Sequence, residues 1–204
     1  MLVLFKNIKE ENILIFDAEY NEGDLIQFAA ILFRRVYKDV FQINKSINFF
    51  VKLEEGKKIN YFIERFTGIS DQILEQFGID LNQAISELEN LLDWMADLLV
   101  VSHGLYNDRI TLESNGFNLF EKEDVIFKGY CTYNNGKRIL QRDKNLKLED
   151  LAEEAGLFLS SYHDAFKDTM ATVAVFSLLC KLEDEQKEED KNDKILQSWR
   201  NKNN

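Results

Sequence analysis

The chain has 204 residues and contains no proline, two cysteines, two histidines and nine glycines. Without proline, slow X-Pro isomerisation phases are not expected in folding. Cys131 and Cys180 are too few to build a disulfide framework, so a reduced, cytoplasmic setting is the expectation. Cys180 closes the apolar stretch VAVFSLLC and reads as a small core residue. No apolar run approaches the ~20 residues of a membrane span. The opening MLVLFKNIKEEN has neither a basic start nor a small-residue cleavage site, so neither a signal peptide nor a membrane partner is expected. Positive charge is also scarce: 25 Lys and Arg face 36 Asp and Glu, a net −11. Residues 183–204 hold seven acids and five bases, so −9 belongs to the rest of the chain. That balance excludes a broad non-specific nucleic-acid surface. A nucleic-acid substrate would be gripped over a few nucleotides at a strand end.

What is present is a soluble composition, 45% hydrophobic and 30% charged, in a length that fits one domain with a full core. NILIFDAEY begins as an apolar strand and turns polar at Asp17. LIQFAAILFRRVY and VFQINKSINFFVKL are β-rich runs separated by Lys38-Asp39, and together the three segments predict an antiparallel meander. INYFIERF and ISDQILEQF are short helical pieces on either side of Thr67-Gly68. Residues 81–97 predict a helix whose buried face carries Ile85, Leu88, Leu92 and Met95. LLVVSHG suits a buried parallel strand, followed by a helix from about Asn107 to Asn115 with Gly116 as its C-cap. DVIFKGYCTY predicts a further edge strand, and LKLEDLAEEAGL a helix closed by Gly156. DAFKDTMATVAVFSLLCKL predicts the last long helix. Residues 1–182 therefore read as one catalytic-sized domain. Residues 183–204 read as a charged tail, either a solvated helical extension or disordered, with Trp199 either docked or idle. The expected fold is α/β, a mixed β-sheet of ribonuclease H type: a three-stranded meander plus parallel strands, flanked by helices.

Four acids and one histidine stand at the ends of these apolar segments: Asp17 and Glu19 in IFDAEY, Asp108 in HGLYNDRITL, and His163 and Asp168 in HDAFKDT. Side chains two apart on a strand share a face, so Asp17 and Glu19 can reach a common ligand. Asp108 falls in the first turn of a helix, where the dipole favours an acid, but also at the carboxyl edge of a strand, where α/β sheets place ligands. His163 precedes the last helix and Asp168 projects from its first turns. Taken singly, these features equally describe a solvated strand end, a helix cap and a surface histidine. Together, hard oxygen ligands and one imidazole suit two divalent ions, Mg²⁺ or Mn²⁺, and a general base acting on a phosphodiester. His103, in the strand-to-helix turn, reads as structural.

On these motifs the chain resembles the DEDDh, or DnaQ-like, 3′→5′ exonucleases of ribonuclease H-like fold. FDAEY is similar to that family's first motif, HGLYND to its second and HDAFKD to its third. FTGISDQIL and LKLEDLAEEAGL are similar to two lesser segments, so the resemblance spans about residues 12–180. FIERFTGIS followed by LLDWM looks most like the ERI-1 type. Tyr20, Gly104 and Asn107 depart from the residues frequent at their positions. The resemblance implies that Asp17, Glu19 and Asp168 hold one metal, that Asp17 and Asp108 place a second, and that His163 takes a proton from water. Tyr20, Thr67 and Gly68 are implied to seat the terminal nucleotide. Of the neighbouring side chains, Ile69 is a candidate wedge for the terminal base, and Phe66 is expected in the core. The implied partner is RNA or DNA with a free 3′ end, with single-stranded or short RNA preferred. A homodimer or a DNA polymerase partner remains open, the second as a proofreading-type subunit docking through Ile195, Leu196 and Trp199. A catalytically dead nucleic-acid binder is the third reading, which the presence of all five residues opposes.

Overall fold

A computed structural model describes residues 1–92, 97–117, 126–143, 145–160 and 163–202. Three strands, β2 (Asn12–Asn21), β3 (Asp24–Tyr37) and β4 (Val40–Val51), form the expected antiparallel meander. The β2–β3 turn uses Glu22 and Gly23, both at positive φ (54° and 100°), as the tight turns that match strand twist require. A short strand that the sequence did not announce, β1 (Leu2–Leu4), lies antiparallel on β4, and β5 (Gly78–Ile79) pairs with β4 in parallel. On the other side of β2, β6 (Asp97–Ser102) and then β7 (Ile126–Cys131) run parallel to it. The order is β1-β4-β3-β2-β6-β7, with β5 also on β4. The mixed α/β sheet flanked by helices is the ribonuclease H-like architecture expected.

The helices are α1 (Tyr61–Thr67), α2 (Asp71–Phe77), α3 (Leu81–Leu92), α4 (Leu105–Ser114), α5 (Thr132–Leu140), α6 (Leu148–Glu154) and α7 (Ala165–Lys202). Helix α3 buries Ala84, Leu88, Leu91 and Leu92. Met95 lies outside the described residues, and Asp97 opens β6 instead of ending the helix. Helix α5 is a further element that the sequence did not announce: Asn134-Asn135-Gly136 is turn-like in composition, yet it lies inside a helix. Gly136 is buried there, facing Leu146 and Leu151 at ordinary contact distance. Ile139 of the same helix packs with Leu151 of α6 and Val175 and Leu179 of α7. No helix among the described residues is long and apolar enough to cross a membrane.

The period-two alternation of β2 decides where the chemistry falls. Leu14 and Phe16 face one core with Leu88, Leu92 and Leu112, and Ala18 and Tyr20 pack on that same side. Ile13 and Ile15 face the other core, built with Val173, Phe176 and Cys180 of α7. Asp17 and Glu19 continue the Ile13-Ile15 row. They emerge where α7 has reached its first turn, so the strand exchanges isoleucine for carboxylate beside Asp168. A third core joins Ile139 of α5, Leu151 of α6 and Ala171, Val175 and Leu179 of α7. Helix α7 is thereby clamped on two faces, and beyond residue 182 it remains tied to the body by Glu183–Arg138 at 2.7 Å. Ile195 is exposed. The side chains of Leu196 and Trp199 lie outside the described residues.

Candidate active site

The carboxyl ends of β2 and β6 and the start of α7 meet in a cleft of about 520 Å³. Asp17, Glu19, Asp108, His163 and Asp168 all line it, with Phe66, His103, Tyr133, Lys147 and Glu149 among its other walls. Every one of the five residues picked out in the sequence therefore faces one space.

Each acid is held by its own element. Asp108 rides the first turn of α4, its N–H donating to Gly104 O at 3.2 Å, and its Oδ2 accepts a 2.7 Å bond from the Ser102 hydroxyl. Asp168 is nearly buried, and its Oδ2 accepts from the His163 backbone N–H at 3.0 Å. The bond holds His163 at φ 65°, a left-handed conformation that costs a non-glycine residue energy and tends to persist at functional sites. The start of α7 is pinned to β3 by Gln27. Its Oε1 accepts from Ala165 N at 3.1 Å, and its Nε2 donates to Asn48 at 3.2 Å and to Asp164 at 3.5 Å. Gln27 and Ser102 escaped the sequence reading, although a lone amide inside LIQFAAIL was the available signal.

The electrostatics match a site that expects a cation. Burial, and then the charges of Asp108, Glu19 and Asp168, push the Asp17 carboxyl well above its ordinary range. Burial and then Asp168 push Glu19 up to about 8. Burial pushes Asp168 to about 6, and burial also raises Asp108 against the Ser102 bond that lowers it. The ligand atoms of Glu19, His163 and Asp168 all lie within 4.8 Å of one another. Asp168 Oδ1 is buried without a hydrogen-bond partner, and such an orphaned acceptor needs an explanation such as a bound ion. The donors present thus fit hard divalent cations.

The two histidines differ. His103 is held at both nitrogens, Nδ1 by Thr132 Oγ1 at 2.9 Å and Nε2 by Leu146 O at 3.0 Å. A carbonyl only accepts, so Nε2 carries the proton. Burial holds its pKa down, and both ring nitrogens are committed to partners inside the protein. The ring of His163 stacks on Phe66, centroids 3.6 Å apart, and its Nε2 stands 3.9 Å from Glu149 Oε1. Desolvation lowers its pKa, opposed by Glu149 and assisted by Lys147.

The nucleotide-seating candidates take three different positions. Tyr20 lies on the far side of β2, packed on the first core. Its hydroxyl donates to the backbone carbonyl of Asp108 at 3.5 Å, so it supports the site from behind. Thr67 bonds its own helix, donating to Ile63 O at 2.9 Å and accepting from Ile69 N at 3.1 Å. Gly68 closes α1 at φ 76° with its N–H on Glu64 O. Neither Thr67 nor Gly68 lines the cleft. Phe66 and Ile69 exchange the places expected of them: Ile69 is buried at 3% exposure, whereas Phe66 is 59% exposed and walls the cleft.

Comparison with known proteins agrees with this geometry. The family model described as Exonuclease (RNase_T) matches residues 14–176. No curated protein sequence matches significantly. The nuclease domain of 3′hExo, described as a DEDDh family member and solved with rAMP, superposes with a TM-score of 0.64 at 16% identity, covering 83% of this chain and 92% of that one. A 3′-exonuclease solved for its 3′-end specific recognition of a histone mRNA stem-loop gives 0.63 at 15% identity, over 86% and 84%. E. coli exonuclease I with a dA16 oligonucleotide gives 0.67 at 19% identity, over 86% of this chain but 42% of that one. At these identities the superpositions show a common fold.

Proposed function

We propose, from the premise that the chain belongs to the exonuclease (RNase_T) family, that it is a metal-dependent 3′→5′ exonuclease releasing 5′-mononucleotides. Single-stranded or short RNA is the preferred substrate and DNA the second. The observation that carries this reading is the convergence of Asp17, Glu19, Asp108, Asp168 and His163 on one cleft, with a buried Asp168 oxygen lacking a partner. The preference for RNA draws support from the ERI-1-like segments and from fold relatives solved with rAMP and a histone mRNA stem-loop. The catalytic unit is assigned to residues 1–182, with 183–204 as its charged extension.

Asp17, Glu19 and Asp168 would hold one divalent ion, Mg²⁺ or Mn²⁺, and Asp17 with Asp108 a second. Such a pair supplies Lewis-acid stabilisation of entering and leaving oxygens and a more acidic water. The protein's own groups do the rest. His163, kept neutral near pH 7 by its lowered pKa, accepts the proton of the attacking water at Nε2. Glu149, 3.9 Å from that atom, stabilises the imidazolium that results. Ser102 and the Gly104 carbonyl fix Asp108, so its carboxylate does not reorganise during the reaction.

The test is purified protein with Mg²⁺ or Mn²⁺ and 5′-end-labelled oligonucleotides. Ladders shortening from the 3′ end, faster on RNA than on DNA, are expected. Absence of cleavage of both substrates with both metals would remove the enzyme reading.

A further inference from the structure

Helix α1 presents an unusual outer surface. It has no buried residue, and its sequence YFIERFT leaves Tyr61 66% exposed, Phe62 76% and Phe66 59%. Exposed single apolar residues are ordinary, but three aromatics on a seven-residue helix are not. At 3.6 residues per turn, Tyr61, Phe62, Arg65 and Phe66 fall within an arc of about 140°. Ile63 faces the opposite way, onto the core of Ile26, Ile59, Ile69 and Leu74. Phe62 and Phe66 are one turn apart on the same stripe, and Arg65, itself exposed, lies between Tyr61 and Phe62 around the helix. Phe66 already walls the cleft, so the stripe is continuous with the site and leads away from it. Asn60 anchors the other end, its backbone N–H donating to Asn21 at 2.8 Å.

We propose that Tyr61, Phe62 and Arg65 form a stacking track for the nucleotides upstream of the terminal one in a single-stranded substrate. This rests on the exonuclease reading and extends it to the rest of the strand. Every base has a π-face, so aromatic stacking holds a strand without reading its sequence. The charge of the molecule favours this mode over electrostatic capture. At net −11 the surface repels phosphate, and Lys147 is the one lysine or arginine among the described residues that line the cleft. A chain with few cations to offer gains its hold from bases, with Arg65 placed for a single phosphate. A duplex hides its π-faces in its own stack, so the track selects single strands.

The test is fluorescence anisotropy of a labelled oligouridine of about 12 nucleotides, within the span one such surface covers, in EDTA. It is paired with cleavage kinetics in Mn²⁺ on that oligomer and on a dinucleotide. The double variant Tyr61→Ala/Phe62→Ala should weaken oligomer binding ~10-fold or more and raise KM for the oligomer alike. It should leave kcat, and all kinetics on the dinucleotide, unchanged. Phe62→Tyr should restore binding, which a merely structural role would not predict. Arg65→Gln should lower the magnitude of the slope of log affinity against log salt by about 0.7, the share of one single-strand phosphate. Equal oligomer binding by wild type and double variant overturns the track, as does an equal loss on the dinucleotide. Failure of wild type to cleave either substrate overturns the exonuclease reading instead, while the anisotropy result still decides the track.

Discussion

The floor and the wall of the cleft are built on different terms. The floor (Asp17, Glu19, Asp108 and Asp168) stands on β2, on α4 just after β6, and on α7, elements clamped by three buried cores. Its polar supports are backbone and buried side-chain bonds from Ser102, Gln27 and the His163 N–H. The wall comes from α1 and from the segments flanking α6. There Phe66 stacks on His163, Glu149 approaches the imidazole, and Lys147 lines the same half-exposed side of the cleft. A site that must hold fixed charges and also admit a changing strand needs both kinds of construction. The rigid part sets where charge is stabilised, and the exposed part yields to each incoming nucleotide.

Breaking the floor should have the largest effect. Asp17→Ala or Asp168→Ala is expected to abolish cleavage and metal binding together, measured by rate assay beside calorimetric titration with Mn²⁺. Breaking the wall at His163 should separate the two readouts. His163→Ala is expected to slow turnover ~10²–10⁴-fold, the share of a general base, with metal affinity nearly intact. Equal metal loss in both variants would erase the distinction between floor and wall. Removing a support one step behind the floor, Ser102→Ala, should weaken metal affinity ~10–100-fold without altering the fold by circular dichroism. Phe66→Ala should raise KM ~10-fold through lost stacking and leave kcat close to wild type. A fall in kcat as large as that of His163→Ala would assign Phe66 to holding the imidazole.

The smallest effect, and the one specific to the floor, concerns pH. Folding raises Glu19 to about 8 and Asp168 to about 6, and raises Asp17 and Asp108 as well. Between the ordinary carboxylate range near ~4 and those values, the folded protein holds protons that the unfolded chain has released. Stability is thus fully present at acid pH and declines as pH climbs through the folded values. In EDTA, the melting temperature should fall from pH 5 to pH 8, and Mg²⁺ or Mn²⁺ should restore it most at the alkaline end. A flat profile in EDTA would show that burial does not hold these carboxyls above their ordinary range.

The floor was legible because period and motif coincide. An apolar row ending in Asp-X-Glu, a strand followed by an acid in the next helix, and His-X₄-Asp at a helix start each constrain direction as well as identity. The meander was equally legible from β-branched runs cut by two-residue turns. The wall was not. Tyr20 was expected to touch the nucleotide, yet alternation along β2 turns it to the opposite face from Glu19. Thr67 and Gly68 stand at the end of α1 with local capping bonds, next to Phe66 at the cleft. Helix α5 was hidden because Asn134-Asn135-Gly136 is turn-like locally, while the core that holds the helix joins Ile139 to Leu151, Val175 and Leu179, far away in sequence.

The order of the motifs, the alternation that places two carboxylates on one side of a strand and the deficit of positive charge belong to the sequence. They follow from local geometry and counting alone. Which side of a two-turn helix meets the core is a different matter. With Ile63, Phe66 and Ile69 all apolar, periodicity over so few residues cannot choose among them. Only the packed position of α1 against β2, and of Ile69 among Ile26, Ile59 and Leu74, turned Ile69 inward and Phe66 onto His163. Burial is a property of what surrounds a residue, not of the residue itself.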